Sequence, residues 1–94
     1  MDIIWLDRAR RELVHIHRYI ATDDPVAASR VLRRVRDAVR KLDEIPNIGR
    51  PGRLPGTREL VVVGTPFIVP YRVSNGVIEI LSVIHGARRW PNSL

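Results

Sequence analysis

The sequence predicts an α+β fold in which an N-terminal strand and an antiparallel two-helix hairpin pack on one face of a small, largely antiparallel sheet. Two observations support this prediction. Apolar residues recur every three or four positions through the first half of the chain, which is the helical period, and β-branched segments separated by turn residues fill the last third. The expected order is β-α-α-β-β-β, and a chain of 94 residues is expected to form one domain, residues 1–94.

The first elements are a short strand and a helix. Residues 3–5 are apolar and precede the helical pattern, so they are interpreted as a strand. One apolar stripe defines the helix: Leu6, Ala9, Leu13, Ile16 and Ile20. Asp24 and Pro25 then end this helix and begin the next, because Asp is a good N-cap and Pro suits the first helical position.

The second helix carries its own apolar stripe, made of Ala28, Val31, Val35, Ala38, Leu42 and Ile45. It is expected to end near Glu44, because Pro46 disfavours helical geometry in the residue before it. Since the connection at Asp24 is so short, the two helices are expected to lie antiparallel.

Three strands are predicted after residue 58, over residues 59–63, 67–73 and 77–85. Asn75-Gly76 is the preferred pair for a two-residue hairpin turn, and this turn places Arg72 opposite Glu79. Pro70 cannot donate to a strand ladder, so it requires an edge position or a bulge.

The hairpin register also assigns residues to the two faces of the sheet. The more apolar face is expected to pack on the helices; its members are Phe67, Val69, Tyr71, Val73, Ile78, Ile80 and Ile84. The opposite face is expected to carry Arg72, Glu79, Leu81, Val83 and His85.

Composition excludes several classes of protein. The chain has no cysteine, which rules out disulfides, thiolate metal sites and a cysteine nucleophile. It has no apolar run of membrane-spanning length and no signal-peptide pattern, so a cytoplasmic location without membrane contact is expected. No metal or cofactor motif is present; His15 and His17 diverge on a helix and do not chelate one ion.

The net charge is +6, and the basic excess lies in residues 25–94. Such a charge favours an acidic partner, either nucleic acid or an acidic protein. Much of it belongs to the second helix, where arginines usually form only a solvated face. The remainder surrounds residues 46–57, where three Pro and three Gly predict a loop.

The candidate catalytic residues are His85, Arg58 and Arg88. In RNA cleavage the 2′-OH loses a proton, the leaving 5′-oxygen gains one, and a cation stabilises the phosphorane, so His85 beside arginines fits that chemistry. The alternative is that His85 is a polar strand-end residue tied to the backbone. Candidate nucleic-acid-binding residues complete the set: Arg50, Arg53, Arg72 and Arg89.

Arg72 and Trp90 each have a structural explanation besides nucleic-acid binding. Arg72 opposite Glu79 forms a cross-strand ion pair most simply. Trp90 could stack on a base or cap the edge of the sheet.

Four segments, residues 21–28, 49–60, 70–73 and 80–91, together resemble the RelE/ParE superfamily of bacterial type II toxins. The resemblance covers nearly the whole chain. It implies two N-terminal helices on one side of a small sheet, and a cognate antitoxin that wraps the toxin and blocks it.

The resemblance implies two possible targets. RelE-like members cut mRNA in the ribosomal A site with basic residues and a C-terminal Tyr or His, and Arg58 and His85 occupy such positions. ParE-like members poison DNA gyrase without that catalytic set; here Lys41 is the only lysine and no tyrosine follows His85. The open hypotheses are therefore an mRNA endonuclease, a gyrase poison, and an inactive toxin-fold binding partner.

Overall fold

Two helices pack against one face of a mixed, largely antiparallel sheet, as the sequence predicts. The computed structural model describes residues 1–88, 90–91 and 93–94. Its elements in chain order are β1 (Asp2–Trp5), α1 (Asp7–Asp23), α2 (Pro25–Arg40), β2 (Arg50–Pro51), β3 (Arg58–Val61), β4 (Phe67–Ser74), β5 (Val77–Ile80) and β6 (Ile84–His85). No helix in the described ranges is long and apolar enough to cross a membrane.

The strands lie in the order β1-β5-β4-β3-β2, and β6 pairs with β4 beyond the end of β5. The β1–β5 pair is parallel and the other pairs are antiparallel. The predicted hairpin register is confirmed, because Arg72 pairs with Glu79 and Ser74 with Val77. Asn75 and Gly76 both have positive φ, 52° and 76°, as a type I′ turn requires.

The last predicted strand is interrupted. The expected strand 77–85 is divided into β5 and β6, with residues 81–83 between them. Pro70 lies opposite this interruption, and its carbonyl accepts the N–H of Leu81 at 3.0 Å. Pro70, which has no N–H, thus lies on the central strand β4, opposite the gap between β5 and β6.

The interruption changes which side chains reach the core. Val83, expected on the open face, joins the core cluster, whereas Ile84, expected to pack on the helices, does not. A break of this kind shifts the alternation of side chains beyond it, so the face prediction is correct through Ile80 and wrong for Val83 and Ile84.

The junction between the helices is as predicted. The Asp24 side chain accepts the N–H of Ala27 at 3.0 Å, and Pro25 occupies the first turn of α2. A 3₁₀ turn, Lys41–Asp43, follows α2 and alters the helical period. Ile45, which lies beyond this turn and was predicted to be buried, is therefore exposed. Within α2, Val39 packs in the core although the predicted stripe did not include it.

The core lies between the helices and the sheet. Its buried members are Ala9, Leu13, Val35, Val39, Leu42, Leu60, Val62, Phe67, Val69, Tyr71, Ile78, Ile80 and Val83. The parallel pairing of β1 with β5 and the short strand β2 were not predicted from the sequence.

Candidate functional site

The arginine-bearing loop after residue 49 is held by one buried carboxylate, Glu59. Its side chain is only 2% exposed, and its Oε1 accepts hydrogen bonds from Nε and Nη2 of Arg50 at 3.1 and 3.0 Å. Its other oxygen accepts the backbone N–H of Arg53 at 2.9 Å. The predicted loop is therefore anchored on the sheet. Sequence reasoning missed this role of Glu59, whose only signal is an acid between several arginines.

Arg58 and Tyr71 hold the preceding turn. Nη1 of Arg58 donates to the carbonyls of Gly49 at 2.9 Å and Asn47 at 3.3 Å. The Tyr71 hydroxyl donates to the carbonyl of Pro46 at 2.7 Å and accepts the Gly49 N–H at 2.9 Å. Burial raises the pKa of the Tyr71 phenol, an effect partly opposed by the Gly49 hydrogen bond and the nearby Arg58 charge.

Gly49 is required at this position by space. A Cβ atom there would lie 2.6 Å from Cε1 of Tyr71, closer than side chains pack. The guanidinium of Arg58, one of the three candidate catalytic residues, thus holds a glycine turn against a buried tyrosine.

His85 is tied to the backbone at the end of β6. Its Nδ1 accepts the N–H of Ala87 at 3.1 Å, and its carbonyl accepts the N–H of Arg88 at 3.0 Å. The ring also packs edge-on against Phe67, with centroids 5.7 Å apart. Because Nδ1 acts as an acceptor, the neutral imidazole carries its proton on Nε2 and presents a donor there.

Arg58 and His85 are not brought together. Arg58 pairs with Tyr71 on one side of β4, whereas His85 pairs with Phe67 on the other side. Four residues along a strand correspond to about 13 Å. The two residues therefore lie toward opposite ends of β4, and a catalytic role for His85, Arg58 and Arg88 stays a prediction.

The predicted nucleic-acid-binding residues are mostly engaged within the protein. Nε of Arg72 lies 2.9 Å from Oε1 of Glu79, which confirms the cross-strand ion pair. The Arg53 guanidinium lies 3.9 Å from the centre of the Trp90 ring, so this ring stacks on a cation. Arg89 lies outside the described residues. Nucleic-acid binding by Arg50, Arg53, Arg72 and Arg89 stays a prediction.

A cavity of about 840 Å³ lies between α1 and β6, which sequence reasoning did not predict. Apolar side chains form much of its lining, including Ile16, Ile20, Val31, Phe67, Val83, Ile84 and Pro91. Polar and charged residues also line it, among them Arg8, Arg11, Glu12, His15, His85 and Arg88. The volume falls in the range of ligand-binding clefts.

Beside this cavity, Glu12 of α1 binds the segment between β5 and β6. Its Oε1 accepts hydrogen bonds from the Ser82 hydroxyl and from the Val83 N–H, the latter at 3.2 Å. The Val83 N–H, which lies between β5 and β6, thereby finds its acceptor on α1. Among the residues that the structure describes, no group of three His, Cys, Asp or Glu is placed to hold a metal ion.

Comparison with known families decides the class of protein. The model of the ParE toxin of the type II toxin–antitoxin system parDE matches residues 3–90. The chain belongs to the ParE toxin family. This membership confirms the RelE/ParE resemblance and makes the protein the toxin component of a type II toxin–antitoxin system.

Relatives of this ParE-family toxin match it over nearly their whole length. The putative toxin Y4kP of Sinorhizobium fredii (strain NBRC 101917 / NGR234) is 51% identical over 92 residues, covering 98% of this chain and 95% of the relative. Toxin RelE2 of Caulobacter vibrioides (strain ATCC 19089 / CIP 103742 / CB 15) is 37% identical over 87 residues, covering 93% and 97%.

A solved structure has the same fold as the toxin. The chromosomal ParDE TA system from P. aeruginosa gives a TM-score of 0.85 at 28% identity, covering 90% of this chain and 95% of that chain. The names of these relatives include both RelE and ParE labels, so the names alone do not select one cellular target.

Proposed function

We propose that this ParE-family toxin arrests growth by binding and poisoning DNA gyrase. The observation that carries the proposal is the separation of the candidate catalytic groups. RNA cleavage needs a base, an acid and a cation around one phosphate. Here Arg58 and His85 flank β4 about 13 Å apart along the strand.

The engagement of each group supports the same proposal. Arg58 donates to loop carbonyls, and its loss would release the turn at Gly49. Nδ1 of His85 is used by Ala87, so the neutral ring offers no free lone pair to take a proton from a 2′-OH. A toxin built this way acts by surface contacts, for which its charge of +6 provides attraction to an acidic target.

The ParDE match supports a second part of the proposal, a cognate antitoxin that binds the toxin and neutralises it. The gene of this antitoxin is expected beside that of the toxin, which makes the partner experimentally accessible.

Purified toxin and gyrase test the target directly. We expect the toxin to inhibit supercoiling and to trap gyrase-cleaved DNA, and the antitoxin to reverse both effects. In cells, induction is expected to trigger the DNA-damage response while primer extension shows intact translated mRNA. His85→Ala is the informative variant, because an endonuclease would need the imidazole and a gyrase poison would not.

One observation favours mRNA cleavage as a second candidate. His85 and Arg88 both line the cavity beside α1, where Arg8 and Arg11 add positive charge. Protonated on both ring nitrogens, with Nδ1 released from the Ala87 N–H, His85 would then donate its Nε2 proton to the leaving oxygen. Cleavage of mRNA in the ribosomal A site, abolished by His85→Ala, would establish this activity and overturn the gyrase proposal. Absence of growth arrest would overturn both in favour of an inactive binding partner.

A further inference from the structure

Six basic side chains lie along the solvent-exposed side of α2 and the first residue of the turn that follows it. We call this set the α2 basic stripe; its members are Arg30, Arg33, Arg34, Arg36, Arg40 and Lys41, and all six are exposed. Residues 25–41 contain these six basic residues and a single acidic residue, Asp37. This segment therefore holds most of the net charge of +6 that the chain carries.

Little of this charge is used within the protein. Among the residues that the structure describes, Arg40 alone of the six has an ion-pair partner, with its Nη1 3.2 Å from Oδ1 of Asp37. Nη1 of Arg34 lies 3.4 Å from the Val63 carbonyl, and the guanidinium is beside Gly64. This contact holds a cation next to the turn after β3 without neutralising it. Most of the stripe is therefore open to an anionic partner.

The spacing of the charges is unfavourable for a helix face that meets only water. Side chains three or four positions apart on a helix are neighbours, and like charges at these spacings repel each other. Arg30 has like-charged neighbours in Arg33 and Arg34, and Arg36 has them in Arg33 and Arg40. In contrast, α1 mixes three acidic residues with its four arginines. An anionic partner would relieve the repulsion along α2, whereas solvent leaves it in place.

The chemistry of the stripe favours the phosphates of a nucleic-acid duplex. Five of its six members are arginines, whose planar guanidinium matches the oxygens of a phosphate. Over residues 29–41 no aromatic ring is exposed, although binding of single strands depends on rings that stack with bases. No large apolar side chain is exposed there either, although a protein interface needs such anchors.

The geometry of α2 favours B-form DNA among duplexes. The stripe spans 11 helical steps, or about 16 Å, a length over which DNA carries roughly ten phosphate charges. Arg34 and Arg36 leave the helix axis about 160° apart, so cations lie on both flanks of the exposed side. The major groove of B-form DNA is about 12 Å wide and admits a helix between its phosphates, whereas side chains cannot read the narrow major groove of an RNA duplex.

We propose that the toxin itself binds duplex DNA, with the α2 basic stripe against the phosphates that border the major groove. Phosphate contacts carry no sequence information, so this binding is expected to be independent of sequence. It would keep the toxin close to any target that works on DNA. The inference concerns DNA alone and is tested without gyrase, so failure of the gyrase proposal leaves it untouched.

Fluorescence anisotropy of the purified toxin with a short labelled DNA duplex tests the binding. A plot of log affinity against log salt concentration is expected to fall with a slope of about −4.5, as contacts to about five phosphates require. A scrambled duplex of the same length should bind equally well. Absence of binding at low salt, or an affinity that does not depend on salt, would overturn the proposal.

Two double variants with the same net charge locate the binding surface. Arg30→Gln with Arg33→Gln is expected to weaken DNA binding about tenfold and to reduce the salt slope by about 2. The control, Arg10→Gln with Arg18→Gln, removes two exposed charges from α1 and should change the affinity by less than about twofold. Glutamine keeps the helix propensity of arginine, so both variants are expected to fold. Equal losses would overturn the assignment to α2.

Amide chemical shifts of the unaltered toxin provide a test that needs no variant. Addition of the DNA duplex is expected to shift the amides of residues 29–41 more than those of the sheet. Shifts confined to other parts of the chain would overturn the proposal.

Competing ligands distinguish DNA from other anionic partners. Unlabelled single-stranded DNA, an RNA duplex of the same length and vesicles rich in phosphatidylglycerol are each expected to displace the labelled DNA duplex less well than unlabelled duplex DNA does. Equal or better displacement by any of the three would overturn the assignment of the stripe to duplex DNA.

Discussion

Buried polar side chains in the sheet determine the shape of the glycine- and proline-rich loop. Glu59 binds Arg50 and the backbone of Arg53, and Tyr71 binds the turn at Gly49. These partners replace the regular backbone pairing that a segment so rich in Gly and Pro cannot make. The loop therefore depends on a few side chains, and its stability can be tested one residue at a time.

Tyr71→Phe tests this dependence. The change removes one hydroxyl and leaves the Gly49 N–H and the Pro46 carbonyl without their partner. We expect the free energy of unfolding to fall by about 1–3 kcal/mol, the usual cost of a buried unsatisfied group. Urea denaturation measures this change in the free energy of unfolding. Tyr19→Phe is the matched control, because Tyr19 is 71% exposed, and its effect should stay within about 0.5 kcal/mol.

The unaltered toxin and Tyr71→Phe are also expected to differ in how their stability depends on pH. Burial raises the pKa of Tyr71 above its ordinary value of 10.0, so the folded toxin keeps a proton that the unfolded chain has lost. This contribution to stability is present below pH 10.0 and is lost as the pH rises above it. The stability difference between the unaltered toxin and Tyr71→Phe should therefore shrink above that pH; a constant difference would contradict the assignment.

The site could be predicted from sequence only where local chemistry fixed the geometry. Arg72 and Glu79 were paired correctly because the Asn75-Gly76 turn determines the register of its hairpin. The partners of Arg58 could not be predicted, because the carbonyls it binds belong to a loop whose path is not determined by local sequence. The sequence showed the charges but not their partners.

At the level of elements, the helix junction follows most directly from the sequence. Asp24 caps α2 and Pro25 starts it, so two adjacent residues end one helix and begin another. The short connection fixes α1 and α2 as antiparallel neighbours. This hairpin forms one wall of the core and one side of the cavity.

Asp24→Ala is expected to lower the free energy of unfolding by about 1 kcal/mol, because the Ala27 N–H loses its acceptor. The adjacent Asp23→Ala serves as the control. Asp23 is the last residue of α1, where a negative charge opposes the helix dipole, so its removal should be neutral or slightly stabilising. Similar losses in both variants would show that Asp24 does not act as the cap.

The broken strand shows where element prediction failed. Pro70 signalled a defect in the ladder, but its place on a central strand, opposite residues 81–83, depends on the partner strand. At that break, the Val83 N–H donates to Glu12 on α1, which is 71 residues away in sequence. No local pattern connects these positions, so the shift of Val83 into the core could not be read from alternation alone.

At the level of the whole molecule, a small core and a charge of +6 lead us to predict that the free toxin is less stable than its complex with the antitoxin. We expect the antitoxin to raise the free energy of unfolding by about 2.7 kcal/mol at a free concentration 100 times its Kd. Thermal unfolding of the toxin alone and in the complex measures this effect. Equal melting temperatures would contradict the prediction.

The α+β class was predictable because helical and strand periods occupy separate parts of the sequence. The strand order was not, since β1 could have paired at either edge of the sheet. Its actual position beside β5 decides which part of that edge is covered. The cavity next to β6 follows from this long-range pairing, which explains why sequence reasoning missed it.

The β1–β5 pairing also sets when the toxin can complete its fold during synthesis. Residues 2–5 pair with residues 77–80, so this part of the sheet cannot form before residues 77–80 have been synthesised. Contacts between distant parts of a chain form slowly because the intervening loop must first be ordered. A nascent toxin therefore lacks its finished sheet until residues 77–80 have left the ribosome, which gives an antitoxin already present in the cell time to meet it.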